Sequence, residues 1–177
     1  MILRSIPKPL DGEFAPYAIM YIGLLPDDGL VLKHMQDNLK VVTDLIRPLS
    51  EAQLTTPCAE GEWTIKEILL HIIDDERIYA YRALRAARND QTELPGFDQD
   101  LFTTYSSANQ RSLDSLFEEY ESVRAATITL FNNVPDEALI HASVANGHRM
   151  SVRAAAYHIA GHELHHLNSI KQNYFRH

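Results

Sequence analysis

Two histidines near the carboxyl end of the chain have the residue types and the spacing for metal chemistry. His162 and His166 lie in the segment His-Glu-Leu-His-His at residues 162–166. Side chains four positions apart on a helix share one face, so the two imidazoles can bind a single metal ion. The pair therefore predicts part of a metal site, provided that this segment is helical and that a further ligand lies nearby.

The same segment contains the letters His-Glu-x-x-His, which many zinc metalloproteases carry with the glutamate as general base. The third ligand of these enzymes lies downstream, either as a glutamate well past the motif on another helix or as the last histidine in the run His-x-x-Gly-x-x-His. Ser169 and Gln172 occupy the places of that glycine and histidine, and the tail beyond them offers only His177. We therefore expect an upstream third ligand and no protease activity. Glu163 should lie about 100° around the helix from His162, as a surface carboxylate.

Composition and charge limit the classes of partner. A chain of 177 residues with 45% hydrophobic residues can bury a full core without disulfides. Its net charge of −8 and its lack of a Lys/Arg cluster argue against nucleic acid. No apolar run reaches the length of a membrane span, and no signal peptide is visible near the amino terminus. We expect a cytoplasmic protein without a membrane partner, and the sequence leaves room for a homodimer.

Four stretches of helical periodicity position these histidines, and almost no stretch alternates as a strand does. Thr64 and Glu67 form a Thr-x-x-Glu capping box at the start of the second stretch, and Pro135 ends the third. In the fourth stretch, His162 and His166 occupy positions in the apolar row. The four predicted helices cover approximately residues 29–47, 64–88, 112–134 and 151–174.

Helices of about 20 residues with one apolar stripe each pack well as a four-helix bundle. The sequence therefore predicts an all-α, antiparallel four-helix bundle. Residues 90–111 form a long polar connection, broken by Pro95 and Gly96, which predicts a crossover or a lid over one end. Asn146 and Gly147 are typical of a hairpin turn and predict two very short strands.

No internal repeat or second-domain boundary is evident in the sequence. We expect a single domain over residues 1–177. Residues 1–26 should form an ordered leader, packed along a bundle made of residues 27–177.

A third histidine lies in the second predicted helix. His71 ends the segment Trp-Thr-Ile-Lys-Glu-Ile-Leu-Leu-His at residues 63–71 and lies on the inner margin of the apolar stripe. This helix opening, with the His-x-x-x-His pair of the last helix, resembles the DinB-like superfamily of metal-binding four-helix bundles. That superfamily includes YfiT-like proteins and bacterial thiol-dependent S-transferases. Leu-Pro-Gly-Phe at residues 94–97 extends the resemblance over most of the chain. The resemblance implies that His71, His162 and His166 hold one divalent metal.

Several other residues lie near the level of these histidines. Each either orients a ligand imidazole or binds substrate, or else forms an ordinary ion pair on the helix surface. His158, four positions before His162, could also be a fourth ligand, although we favour a solvent-facing or orienting role. His165 should point away from the site, and Cys58 should be incidental. The candidates for orienting ligands or binding substrate are Asp75, Glu76, Tyr79, Arg82 and His158.

An open centre of three neutral imidazoles can lower the pKa of a bound water or hold a thiol as its thiolate. The resemblance implies the thiol use, in which a low-molecular-weight thiol is added to a small electrophile. The leading hypothesis is thus a metal-dependent transferase, with zinc, nickel or iron as the metal, since imidazole suits all three. A metal-dependent small-molecule hydrolase and a non-catalytic metal-binding stress or interaction protein are the alternatives. No catalytic residue is assigned.

The long connection is a candidate lid in this hypothesis. Phe97, Phe102 and Tyr105 could close over an electrophile, and the alternative is that residues 90–111 merely span the bundle ends. Arg82, or Arg153 on the last helix, could hold a carboxylate or sugar of the thiol.

Overall fold

The computed structural model describes residues 2–175 and has the predicted all-α bundle as its fold. His177, the tail histidine considered above, lies outside the described residues. Each of the four long helices falls within a stretch of predicted helical periodicity. These helices are α2 (Val31–Ile46), α4 (Ile65–Ala87), α6 (Leu113–Asn133) and α7 (Val152–Asn173). The leader contains the short helix α1 (Ile19–Ile22), and the connections between the long helices contain α3 (Glu51–Thr55) and α5 (Gln99–Tyr105).

Side-chain caps fix the starts of three long helices. The hydroxyl of Thr64 accepts a hydrogen bond from the backbone N–H of Glu67, whose carboxylate accepts one from the Thr64 N–H. This is the predicted capping box. Ser112 and Ser151 each accept a hydrogen bond from the backbone N–H three residues later, at the starts of α6 and α7. These caps satisfy backbone donors that the helix leaves without partners.

α4 and α6 run in the same direction. Lys66 Nζ, near the start of α4, donates to the carbonyl oxygen of Arg111, just before α6, at 2.8 Å. Glu76 and Arg124 join the middles of the same two helices. The connection between these helices must therefore return along the length of the bundle, which accounts for the long predicted crossover.

α4 and α7 run in opposite directions and form the wall that carries the predicted metal ligands. Near the start of α4, the ring of His71 lies 4.9 Å from that of His166, which is late in α7. Further along α4, the ring of Tyr79 stacks at 3.7 Å on that of His158, which is early in α7. α2 packs against α6 and α7 on the other side of the bundle.

A hairpin lies between α6 and α7, as predicted. Strand β1 (Ala142–Ala145) pairs antiparallel with β2 (His148–Ser151), and Asn146 and Gly147 between them both have positive φ angles. The crossover joins the hairpin, because the Leu94 N–H donates to the Val144 carbonyl oxygen at 2.9 Å. This contact fixes the middle of the crossover beside α4.

The leader packs closely against α7. Ile6 and Ile22 are buried, and the Tyr157 hydroxyl donates to the Ile6 carbonyl oxygen at 3.0 Å. A Cβ atom at Gly161 would lie 2.3 Å from the carbonyl oxygen of Tyr21, so only glycine permits this approach. Within residues 2–175, no helix is both long and apolar enough to cross a membrane.

Candidate metal centre

The structure brings together the three histidines that the sequence selects. His162 Nε2 lies 3.1 Å from His71 Nε2 and 3.1 Å from His166 Nε2. The potential ligand atoms of the three residues all lie within 4.8 Å of one another. His71 and His162 are buried, whereas His166 is half-buried. The group could therefore hold one metal ion on the wall between α4 and α7.

The protonation of these imidazoles fits a divalent metal. The Asp75 carboxylate lies 3.3 Å from His162 Nδ1 and favours the tautomer with its proton on that nitrogen. His162 Nε2 then carries a lone pair, yet it faces two further ring nitrogens that cannot both donate to it in a satisfactory geometry. A cation resolves this crowding of acceptors. Two nitrogens bound to one zinc ion at about 2.1 Å lie roughly 3.4 Å apart in a tetrahedral site, close to the spacing observed from His162 to each of the other two.

Burial keeps the three imidazoles in the neutral form that binds metals. It lowers the pKa of His71, and it lowers the pKa of His162 to about 3 and that of His166 to about 2. For Asp75, burial alone would raise the pKa, but the neighbouring His162 and His158 outweigh it and hold the pKa well below its usual range. Asp75 is therefore a carboxylate at neutral pH.

Aromatic rings surround the triad. The ring of Trp63, just before α4, lies 4.8 Å from that of His71, and the ring of Tyr21 lies 5.1 Å from that of His162. The sequence alone gave neither residue a place at the site. The sequence signal that could have placed Tyr21 is Gly161, a glycine within a helix next to His162. In the structure this glycine allows the backbone of Tyr21 to approach α7 closely.

His158 lies beside the triad rather than within it. Its ring stacks 5.6 Å from that of His162, and its Nε2 lies 3.4 Å from the Asp75 carboxylate. Neither ring nitrogen of His158 has a hydrogen-bond partner within the described residues. On its other face lies Tyr79, whose pKa is raised by burial and by Asp75. Asp75, Tyr79 and His158 thus remain candidates for orienting a ligand or binding substrate.

Glu163 is not the surface carboxylate that the sequence predicted. It is fully buried, and its Oε1 accepts a hydrogen bond from Arg124 Nη2 at 2.7 Å. Glu76 accepts from the same guanidinium at 2.8 Å and so faces the bundle core instead of the imidazoles. Burial and the proximity of Glu76 raise the pKa of Glu163 well above its ordinary value. Because Glu163 is bound to Arg124, Glu163 is not placed to act as the general base of a metalloprotease.

Two cavities reach the triad from opposite ends. A cavity of about 160 Å³ lies beside His162 and is lined also by Asp75, Tyr79, Arg82, Phe97 and His158. A second cavity of about 300 Å³ lies beside His166 and is lined also by Cys58, Asp100 and His165. His165 therefore does not point away from the site, because its ring lies 5.3 Å from that of His166.

Two other expectations about substrate groups need correction. Arg153 Nε donates to the Glu13 carboxylate at 2.8 Å, so Arg153 belongs to the contact between leader and α7. Tyr105 is 79% exposed and does not take part in a closed lid. Phe97 does line the cavity beside His162, and its ring lies 5.4 Å from that of Phe102.

Comparison with known proteins agrees with this architecture. A curated protein of Oceanobacillus iheyensis named "Putative metal-dependent hydrolase OB0413" is 26% identical over 143 residues, which cover 79% of this chain and 81% of that protein. The solved structure of YfiT from Bacillus subtilis, titled "a probable metal-dependent hydrolase with an unusual four-helix bundle topology", superposes with a TM-score of 0.73. It does so over 82% of this chain and 85% of YfiT at 13% identity, a likeness that shows the shared fold. The model of the DinB superfamily matches residues 34–170, a span that contains all three histidines, and the chain therefore belongs to the DinB superfamily.

Proposed function

We propose that this protein is a divalent-metal-dependent enzyme that transfers a low-molecular-weight thiol to a small electrophile at His71, His162 and His166. The observation that carries the proposal is a triad of neutral, converging imidazoles that faces two cavities. A divalent ion bound by three neutral ligands keeps its charge and open positions, and so favours a bound thiol as thiolate at neutral pH.

The surrounding residues support this chemistry by positioning and by excluding water. Asp75 favours the tautomer of His162 that is protonated on Nδ1. The ring of Trp63 packs against that of His71, and the ring of Tyr21 packs against that of His162. Glu163 is not free to take a proton from water, because it accepts a hydrogen bond from Arg124. Asp75 lies within 3.4 Å of two imidazoles, but its Oδ2 has no hydrogen-bond partner within the described residues. The lowered pKa of Asp75 makes its carboxylate a weak base, which favours a thiol over water as the nucleophile.

A metal-dependent hydrolase is the second candidate. Asp100 on α5 lines the larger cavity together with His166, and its charge acts on His71. This carboxylate could serve as a general base for water, and the names of the two relatives described above point to hydrolysis. A non-catalytic interaction role fits less well, because such a role predicts a shallow, exposed site and His71 and His162 are buried.

Cobalt-substituted protein offers the decisive experiment, because a thiolate bound to cobalt gives an intense near-ultraviolet charge-transfer band. We expect this band when cysteine, glutathione or coenzyme A is added, and we expect faster loss of an electrophile such as monochlorobimane than with metal-free protein. His162→Ala should show neither effect. If none of these thiols produces the band or the rate increase, thiol transfer is refuted for them.

The same preparation tests hydrolysis. Chromogenic esters and phosphoesters should turn over no faster with the metal-loaded protein than with the metal-free protein if thiol transfer is the activity. Metal-dependent hydrolysis that Asp100→Asn abolishes would favour the second candidate.

A further inference from the structure

Arg82 is a buried cation without a counterion. Only 7% of its surface is exposed, and its Nη2 donates a hydrogen bond to the carbonyl oxygen of Pro95 at 3.3 Å. In the part of the chain that the structure describes, no carboxylate forms an ion pair with it. By contrast, the buried Arg124 contacts both Glu76 and Glu163. Because charged groups are rarely buried unless paired, Arg82 calls for an anion from outside the chain.

The position of Arg82 directs this anion toward the metal centre. Its guanidinium carbon lies 4.8 Å from the ring centroid of Tyr79 and 5.8 Å from that of Phe97. Tyr79 stacks on His158, which stacks in turn on His162, so the guanidinium stands at the end of a row of rings that begins at the triad. Contacts with aromatic rings favour a fixed orientation of the guanidinium.

Charge and size identify the class of anion. One guanidinium supplies a single positive charge, which matches a monoanion better than a dianion such as phosphate. The planar guanidinium matches a carboxylate, to which it can donate two parallel hydrogen bonds. The cavity of about 160 Å³ has room for on the order of five water molecules and therefore for a small organic acid.

We propose that Arg82 binds the carboxylate of a small molecule whose reacting group lies at the histidine triad. This inference rests on the proposed function for the reacting group, but the carboxylate subsite stands on its own contacts. The cavity beside His162 would then take a monocarboxylate as substrate, and this monocarboxylate is either the thiol or its acceptor.

Matched ligands that differ only in charge test the subsite on zinc-loaded protein. We would measure by calorimetry the binding of 4-mercaptobutanoate against 4-mercaptobutanol, and of butanoate against butanamide. In wild-type protein each acid should bind about tenfold or more tightly than its neutral partner, as expected for a charge-assisted bidentate contact. Arg82→Gln should remove this preference without weakening the neutral ligands. Arg88→Gln, at an exposed position just after α4, should keep it.

The possible results separate this inference from the proposed function. An equal acid preference in wild type and Arg82→Gln would show that the acids bind elsewhere, for example on the metal, and would overturn the subsite. Stronger binding of inorganic phosphate than of butanoate would overturn the monocarboxylate class. A butanoate preference that depends on Arg82, with no thiolate band in the cobalt experiment, would support the subsite and refute thiol transfer.

Metal content and circular dichroism would show whether Arg82→Gln is folded and loaded. Should it fail either check, Arg82→Lys retains the charge while losing the planar pair of donors. It should retain a reduced preference for the acids, and an undiminished preference would count against the bidentate contact.

Discussion

Each of His71, His162 and His166 should be required for metal binding, because a site with three protein ligands has none to spare. Replacing any one with alanine should lower the metal affinity by more than the roughly 10–100-fold that loss of an outer partner costs. Metal analysis after dialysis against a chelator measures the effect. His165→Ala is the matched control, since His165 lies beside His166 but outside the triad. Full occupancy in all three triad variants would show that the ligands are misassigned.

Asp75 should tune the site without binding the metal. Its carboxylate lies 3.3 Å from His162 Nδ1, where it favours the proton and leaves Nε2 as the free ligand atom. Asp75→Asn keeps the size of the side chain but removes the charge, and should weaken metal binding roughly 10–100-fold. Competition with a chromogenic chelator gives the affinity. An unchanged affinity would mean that Asp75 acts on substrate or not at all.

The sequence predicts the triad and several of its neighbours, but not the burial of Glu163, for a physical reason. His162 and His166 share a helix face through local spacing, and the family resemblance adds His71. In contrast, no local feature of the sequence around Glu163 indicates that its side chain is buried. Its partner Arg124 comes from another helix, and a charge pair between helices leaves no periodic pattern in either one.

At the scale of elements, the contact of Arg124 with Glu76 and Glu163 couples α4, α6 and α7. Arg124→Met should lower the free energy of unfolding by about 3–5 kcal/mol, because it leaves two buried carboxylates without their cation. Urea denaturation measures the change. Lys40→Met, which breaks an exposed ion pair with Asp44, should cost no more than about 1 kcal/mol. Equal effects of the two substitutions would refute the structural role of Arg124.

Glu13 adds a polar contact between the leader and α7 to their apolar packing. Its carboxylate accepts hydrogen bonds from the Ser151 hydroxyl and from Arg153. Burial alone would raise its pKa, but these hydrogen bonds outweigh burial and leave the pKa below the ordinary value of 4.5. The ionised form therefore stabilises the folded state above about pH 4.5, and this contribution is lost as the pH falls through the lowered pKa.

Glu13→Gln should accordingly lower the free energy of unfolding by about 1 kcal/mol at neutral pH. The difference from wild type should shrink once the pH falls below the pKa of the folded state. Urea denaturation across this pH range is the measurement, with the exposed Asp11→Asn as control. A difference that grows as the pH falls would contradict the assigned role.

The positions of the long helices follow from local sequence, whereas their directions do not. The capping box of Thr64 and the turn at Asn146 and Gly147 fix element boundaries through short-range hydrogen bonds and backbone angles. The parallel course of α4 and α6 depends on contacts such as that between Lys66 and Arg111, which lie 45 positions apart. Short helices such as α5 contain too few residues for a periodic pattern to be distinguished from a loop.

At the scale of the whole molecule, the core consists of two apolar clusters, one toward each end of the bundle. In α6, Val123 belongs to one cluster and Ile128 to the other, with Arg124 between them. The metal centre lies on the α4–α7 wall beside this polar layer, so neither cluster depends on an ion. We therefore expect the fold to persist without metal, unlike that of a zinc finger.

Metal removal should lower the melting temperature without abolishing helical structure. A ligand present at about a thousandfold above its dissociation constant stabilises the folded state by roughly 4 kcal/mol, which for a chain of this size corresponds to about 10 °C. Circular dichroism melts of metal-free and zinc-loaded protein measure the shift, and His162→Ala should show almost none. A coil-like spectrum of the metal-free wild type would contradict the prediction. It would mean that the two clusters cannot form until an ion joins α4 to α7, and that the triad is a structural site.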